Sequence, residues 1–263
     1  MGPIVVSEQM KNQFNRDSYL HIKNSVFAEK DFLHLKRYLM AHCKAIPEKF
    51  RTANFANVDS LRPRFSDWVG SPPITSLITQ ILGPDVALWS LGVCYKPANS
   101  FYRVPAHVDS HFWREWKILE PIEVLTLFIP LTRMTATTGC LRVLPQINYP
   151  KLYAHKPVCS EKNFFIKEIE DPDVDLGQMI DVEMEENEVC LIKENLIHSS
   201  ENNSSPLDRL GLTLRYISTA VKYRPHPDDK HKIFLVHGIN ISKNSCDELS
   251  RYPGVGGFSW DAK

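Results

Sequence analysis

From residue 86 to residue 220, short apolar runs alternate with turn-forming residues, and this pattern limits the possible folds more than any other feature of the sequence. Such runs, rich in β-branched and aromatic side chains, are typical of strands. The clearest runs are Val86–Tyr95, Val104–Val108, Val124–Leu131, Leu141–Leu144, Val189–Ile192 and Leu210–Ala220. Many short strands at this spacing predict a mainly β fold with flanking helices, and we expect a double-stranded β-helix, the cupin-like jelly roll.

Parts of the first 85 residues show helical spacing instead, with apolar residues recurring every three or four positions, whereas Phe50–Val69 has no clear period. N-capping, proline and glycine signals mark where these helices begin and end. The predicted elements are a short helix that Ser7 caps, an edge strand at Tyr19–Ile22, an amphipathic helix over Glu29–Cys43, and a helix that begins near Pro73 and ends at Gly83. We expect the helices to pack on one outer face of the β core.

Nothing in the pattern divides the chain, since it contains no internal repeat and no low-complexity linker. We therefore predict one domain over residues 1–263, with mostly helical support at 1–85, a jelly-roll core at 86–220 and a C-terminal loop or lid region at 221–263. Charges, prolines and glycines mark Asn148–Gly177 and Lys222–Lys263 as insertions. Long loops on a β scaffold commonly form substrate walls or lids.

Composition disfavours several classes of partner. Lysine plus arginine and aspartate plus glutamate balance at 31 each, so the formal charge is zero and we expect no nucleic-acid partner. The N-terminus shows no run long enough for a signal peptide or membrane span, and the six dispersed cysteines form no Cys-x-x-Cys pair. We expect a cytoplasmic protein with reduced thiols, no membrane association, a small-molecule substrate and a monomeric or homodimeric state.

One short motif is a candidate metal site. If the strand that begins at Val104 continues, His107 and Asp109 point to the same face, because strand side chains alternate with period two. With His198 brought in from a distant strand, they would form a triad of two histidines and one carboxylate. This triad is typical of non-haem Fe(II) oxygenases, where it leaves positions open for a co-substrate and O2.

The His-x-Asp pair alone is weak evidence, since a second copy stands at His226-Pro227-Asp228. That copy lies between prolines, where a strand is disfavoured, and little chain follows it to supply another ligand. The first copy is better supported by its surroundings. Tyr95-Lys96-Pro97 precedes it, Trp113 follows it, and Arg209 begins a predicted strand eleven residues after His198.

With these parts in this order, residues 86–220 resemble the phytanoyl-CoA dioxygenase-like family of Fe(II)/2-oxoglutarate-dependent oxygenases, which includes ectoine hydroxylase. The resemblance implies that His107, Asp109 and His198 bind Fe(II). It implies further that Arg209 pairs with the distal carboxylate of 2-oxoglutarate and that the Ser200 hydroxyl assists this arginine. The expected cofactors are thus Fe(II), 2-oxoglutarate as co-substrate, and O2.

Other residues extend or challenge this assignment. Trp113 and Lys96 match positions that line the site in relatives, so they are secondary candidates for co-substrate binding. Arg215 is the alternative to Arg209, because a step of six residues places both on one strand face. The sequence departs from the family at Gln146-Ile147-Asn148, where relatives usually show Gly-Ser-His, and this weakens any transfer of substrate chemistry.

The resemblance implies a dioxygenase that hydroxylates a small molecule with release of succinate and CO2. The neutral charge and the lack of an evident nucleotide-binding feature favour a polar metabolite or a natural-product intermediate over a coenzyme A thioester. Asp109 favours hydroxylation over halogenation, because halogenating relatives carry a small residue at its position. The same chemistry could instead give desaturation, epimerisation or ring formation. A cupin-like metal-binding protein without turnover is the alternative from another class, and it would need no dicarboxylate anchor such as Arg209.

Overall fold

The computed structural model describes residues 3–45, 68–116, 119–145, 152–158, 163, 167–224 and 233–248. Its helices are α1 (Glu8–Asp17), α2 (Glu29–Ala45), α3 (Pro72–Leu82) and α4 (Asp109–Trp116). Its strands are β1 (Tyr19–Ile22), β2 (Val86–Lys96), β3 (Val104–His107), β4 (Leu119–Glu120), β5 (Leu125–Pro130), β6 (Leu141–Leu144), β7 (His155–Pro157), β8 (Lys167–Ile169), β9 (Ile180–Val182), β10 (Val189–Lys193), β11 (Ile197–Ser200), β12 (Arg209–Ser218), β13 (Lys222–Tyr223), β14 (Ile233–His237) and β15 (Cys246–Glu248).

Two sheets carry the fold, which confirms the predicted jelly roll. The larger sheet has seven strands in the order β1-β10-β5-β12-β2-β14-β15, and only its last pair, β14 with β15, is parallel. The smaller sheet has four strands in the order β3-β11-β6-β9. Neighbours that are distant in sequence pair in both sheets, which is the non-local connectivity of this architecture. A cavity lies between the two sheets, and residues from both line it.

The N-terminal helices pack against the larger sheet. Leu35 of α2 and Leu77 of α3 are buried in the same apolar cluster as Leu127 of β5 and Leu212 of β12. Amphipathic spacing produces this arrangement, because one apolar stripe per helix can be covered only by the sheet. The predicted cap is also present, since the Ser7 hydroxyl accepts the Met10 N–H at 3.2 Å. Within the described residues, no helix has the length and apolarity required to cross a membrane.

The structure corrects the prediction that one strand carries both His107 and Asp109. Strand β3 ends at His107, and Asp109 is the first residue of α4. Strand periodicity therefore does not place the carboxylate beside the imidazole. A turn at Val108 does so, because it redirects the chain into the helix while His107 stays paired with β11.

The region beyond residue 220 also differs from the predicted loop or lid. It contains β13, β14 and β15, and β14 pairs with β2 in the larger sheet. The apolar run that begins at Ile233 accounts for this, since Ile233 and Phe234 are both 1% exposed. The insertion at Asn148–Gly177 contributes the short antiparallel pair β7 and β8. The second His-x-Asp copy at His226 and the segment Gln146-Ile147-Asn148 lie outside the described residues.

Candidate metal and co-substrate site

Three potential metal ligands meet between the sheets. Antiparallel pairing of β3 with β11 places His107 directly opposite His198, and the two ring centroids are 4.2 Å apart. Asp109 approaches from the start of α4, with its Oδ1 3.5 Å from Nε2 of His107. Ligand atoms of all three residues lie within 4.8 Å of one another. The predicted triad is thus assembled, although the elements that supply it are two strands and a helix.

Both histidines are oriented by backbone carbonyls. Nδ1 of His107 donates to the Pro105 carbonyl at 2.8 Å, and Nδ1 of His198 donates to the Leu196 carbonyl at 2.9 Å. A hydrogen bond at Nδ1 orients each ring so that Nε2 is the nitrogen presented to a metal. Burial, with the nearby His107 ring adding to it, lowers the pKa of His198 to about 4. The imidazole is therefore neutral at pH 7.

Asp109 is held in the charged form by an arginine. Its Oδ2 accepts N–H groups from Arg215, with Nη2 at 3.3 Å and Nε at 3.4 Å. Burial is the largest single influence and opposes ionisation, but the Arg215 guanidinium, His107 and His198 together outweigh it and hold the pKa of Asp109 well below its usual range. The Trp113 ring covers this guanidinium at 5.8 Å and packs edge-on against Trp89 at 4.7 Å. Trp113 therefore supports the arginine that orients the carboxylate, and it is not among the cavity-lining residues.

The cavity extends from the triad across both sheets. Charged and polar lining side chains include the triad, Arg209, Arg215 and Ser200. Apolar side chains cover the remaining wall, and among them are Val93, Val104, Phe128, Leu141 and Ile192. A mostly apolar cleft with a few convergent polar groups is the usual form of a small-molecule site.

Arg209 lies in this cavity, and the described part of the chain gives it no acidic partner. It is 1% exposed, its Nη1 donates to Cys94 Sγ at 2.9 Å, and its guanidinium covers the Phe128 ring at 5.2 Å. Its buried Nε has no hydrogen-bond partner, and no carboxylate of the described residues pairs with it. A buried guanidinium is costly without an anion, and its planar fork matches a carboxylate. The site therefore fits an anionic ligand, since none of the described residues supplies the anion.

Ser200 and Lys96 occupy different positions relative to the cavity. Ser200 lines it, and its Oγ accepts a hydrogen bond from Lys96 Nζ at 2.8 Å. Lys96 is fully buried outside the lining and also donates to the Ser200 carbonyl at 3.1 Å and to the Glu201 carbonyl. Its register partner on β12 is Arg209. Lys96 thus fixes the end of β11 behind the site.

This buried lysine makes stability depend on pH. Burial, followed by the charge of Arg209, lowers the pKa of Lys96 to about 7. Between about pH 7 and the ordinary lysine value of about 10.4, the unfolded chain binds a proton that the folded chain has released. The free energy of unfolding should therefore rise with pH in this window, and we expect Lys96→Met to flatten the rise in urea denaturation curves. An equal slope in Lys96→Met and in wild type would contradict this reasoning.

Sequence reasoning missed two residues that face the cavity. Thr126 on β5 is 3% exposed, and its buried Oγ1 has no hydrogen-bond partner. Cys94 lies two residues before Lys96 on β2 and contacts Arg209. Alternation along β5 could have placed Thr126 on the face of Phe128, and alternation along β2 could have placed Cys94 on the face of Lys96. Alternation along a strand defines two faces, but the sequence does not say which of them points to the cavity.

Comparisons with known proteins agree with this architecture. One protein-family model, described as phytanoyl-CoA dioxygenase (PhyH), matches residues 11–211. A phytanoyl-CoA dioxygenase domain-containing protein 1 homolog from Dictyostelium discoideum is 26% identical over 160 residues, which are 60% of this chain. The matched region spans 56% of that protein, so this chain covers little more than half the length of its curated relative.

Several solved structures share the fold at low identity. The non-heme monooxygenase ThoJ in its apo form superposes with a TM-score of 0.70 at 20% identity, covering 91% of this chain and 86% of that chain. EctD from S. alaskensis with 2-oxoglutarate and 5-hydroxyectoine gives 0.65 at 16% identity, covering 93% and 89%. The epimerase SnoN with Fe3+, alpha ketoglutarate and nogalamycin RO gives 0.61 at 17% identity, covering 83% and 86%.

Proposed function

The chain belongs to the phytanoyl-CoA dioxygenase family of Fe(II)/2-oxoglutarate-dependent oxygenases, and we propose that it hydroxylates a small-molecule substrate in the cavity between its two sheets. The observation that carries the proposal is the pairing of two features in one cavity. His107, Asp109 and His198 present three ligand atoms to one point, and Arg209 presents a buried cation with no acidic partner among the described residues.

The donor set suits Fe(II). Two neutral imidazoles and one carboxylate leave net positive charge on the metal, which favours chelation by the keto-acid end of 2-oxoglutarate. When bound, the iron supplies the O2 activation that is coupled to decarboxylation of 2-oxoglutarate to succinate and CO2. The other tasks belong to the chain itself. Arg215 orients the Asp109 carboxylate and favours its charged form, and the carbonyls of Pro105 and Leu196 orient the two imidazole rings.

The co-substrate's distal carboxylate would be held by Arg209. A guanidinium stays charged when buried and can form two parallel N–H bonds to a carboxylate. The Ser200 hydroxyl lines the same cavity, and the Thr126 hydroxyl, which has no other partner, is a further donor available there. The apolar walls at Val93, Phe128 and Ile192 would exclude water from the reacting groups.

Hydroxylation is the preferred outcome because the carboxylate ligand is present. In halogenating relatives a small residue makes room for halide at this position, whereas Asp109 fills it and is fixed by Arg215. Epimerisation is the second candidate, since SnoN, which shares the fold, is described as an epimerase. A metal-binding protein without turnover is disfavoured, because such a protein would gain nothing from the buried Arg209.

We also propose a domain organisation, a cellular location and an oligomeric state for the enzyme. The enzyme would be a single catalytic domain that acts in the cytoplasm as a monomer or homodimer. The cytoplasmic location is supported by the described cysteines, which form no disulfide: Cys43, Cys94, Cys140, Cys190 and Cys246. The neutral formal charge supports a small-molecule substrate, a polar metabolite or natural-product intermediate, in preference to a nucleic acid.

Anaerobic reconstitution tests the proposed function directly. We expect wild-type protein with Fe(II) to develop the weak visible charge-transfer band of an iron chelate when 2-oxoglutarate is added. Air should then yield succinate, and product analysis with candidate substrates should show a hydroxylated product. The Asp109→Ala variant should show neither the band nor succinate, since a triad ligand is missing. A band of equal strength in wild type and Asp109→Ala would contradict the assignment.

A further inference from the structure

Cys94 differs from the other described cysteines in its surroundings. Its thiol lines the cavity between the sheets, and its Sγ accepts an N–H from Arg209 at 2.9 Å. The residue is only partly buried, whereas Cys43, Cys140 and Cys190 are at most 1% exposed. Partly exposed thiols beside a cation are the reactive class, and thiols buried in apolar surroundings are inert.

The buried thiols lie in surroundings that disfavour the thiolate. Burial raises the pKa of Cys43 to about 12 and that of Cys140 to about 11. Burial likewise raises the pKa of Cys190 far above its usual range. Cys246 is partly exposed like Cys94, but it packs on an apolar cluster outside the cavity lining. Cys246 therefore serves as a control thiol of similar exposure that lies outside the cavity.

Two buried polar groups without hydrogen-bond partners among the described residues point to a ligand in the cavity that Cys94 lines. The Thr126 side chain is 3% exposed, lines the same cavity, and has an Oγ1 with no hydrogen-bond partner. The Nε of Arg209 is also buried and unpartnered. Buried polar groups without partners are rare in folded proteins and indicate a missing ligand or solvent. Nη1 of Arg209 contacts Cys94 Sγ, and it belongs to the guanidinium that would bind the co-substrate carboxylate.

We propose that Cys94 is a modification site for small soft electrophiles, and that its adduct and 2-oxoglutarate exclude each other at Arg209. The inference rests on the proposed function, because it takes 2-oxoglutarate as the ligand of Arg209. With iodoacetamide, the sulfur forms an S–C bond, the C–I bond breaks, and iodide and the thiol proton leave. The resulting carboxamidomethyl group stands where the carboxylate would approach the guanidinium.

The test measures alkylation under anaerobic conditions, with Fe(II) present and with or without 2-oxoglutarate. Peptide mass spectrometry follows iodoacetamide labelling of Cys94 and Cys246 in the same digest. At ten times its dissociation constant, 2-oxoglutarate should slow Cys94 labelling by about tenfold and leave Cys246 labelling unchanged. Labelled wild-type protein should then fail to form the chelate band at that concentration. In Cys94→Ser, the band should be equally strong before and after iodoacetamide treatment.

The possible failures are distinguishable. A chelate band in unlabelled protein together with unprotected Cys94 would overturn the inference and leave the proposed function intact. The same conclusion would follow if fully labelled wild-type protein bound 2-oxoglutarate as well as unlabelled protein does. Absence of the band in unlabelled protein, with iron bound, would overturn the proposed function and the inference together.

Discussion

His198→Ala is expected to remove iron binding and with it all 2-oxoglutarate turnover. The neutral Nε2 of His198 lies within 4.8 Å of the donor atoms of His107 and Asp109, so its loss leaves two ligands on a metal that needs three to be held on one face. Losing a residue that only hydrogen-bonds a metal ligand typically lowers metal affinity by about 10- to 100-fold, and losing a ligand itself should lower it further. Metal analysis after gel filtration and succinate release in air measure the two effects.

His155 provides a matched control within the same chain. Its Nδ1 donates to the Tyr153 carbonyl at 2.9 Å, as Nδ1 of His198 does to Leu196, but its ring stacks on His111 at 3.8 Å and stands outside the triad. Burial lowers the pKa of His155 to about 4, so it too is a neutral imidazole. His155→Ala should retain one iron per chain. Equal iron loss in both variants would show that the histidine set has been assigned wrongly.

Much of the fold could be predicted from sequence because its signals are local. Period-two alternation predicted β6 at its observed bounds, Leu141–Leu144, and helical spacing with proline and glycine signals predicted α3 closely. The β14 strand was missed, since Pro225 and Pro227 and a glycine-rich tail suggested loops for the whole segment. Its apolar run forms a strand because it pairs with the edge of β2. That edge exists only in the folded sheet, so the sequence of the segment alone does not reveal it.

The candidate site shows the same division between local and tertiary information. Residue types indicated His107, Asp109 and His198, and the family resemblance added Arg209; the fold brings all four to one cavity. The backbone route was predicted wrongly, because alternation cannot foresee that the chain turns into α4 at Asp109. The supporting role of Trp113 on Arg215 was likewise beyond the sequence, since it depends on packing between a helix and a distant strand.

Arg209→Met and Arg215→Met are expected to have opposite consequences, although the two arginines lie six residues apart on β12 and both face the cavity. Removing one partner of a buried charged pair costs about 2 to 5 kcal/mol, so Arg209→Met should weaken 2-oxoglutarate binding by about 30- to 4000-fold. Iron binding should survive, because Arg209 makes no ion pair with any triad residue. Titration of the chelate band with 2-oxoglutarate measures the first effect, and metal analysis measures the second.

Stability separates the two arginines further. In the ligand-free protein Arg209 is a buried cation without an acidic partner in the described residues, so the apolar methionine should raise the free energy of unfolding. Arg215 instead pairs with Asp109 at 3.3 Å, and Arg215→Met would leave that buried carboxylate uncompensated, at a cost of about 3 to 5 kcal/mol. Urea denaturation of both variants measures these shifts. If Arg215→Met lost 2-oxoglutarate affinity while Arg209→Met kept it, Arg215 would be the anchor, and the buried charge of Arg209 would need another ligand.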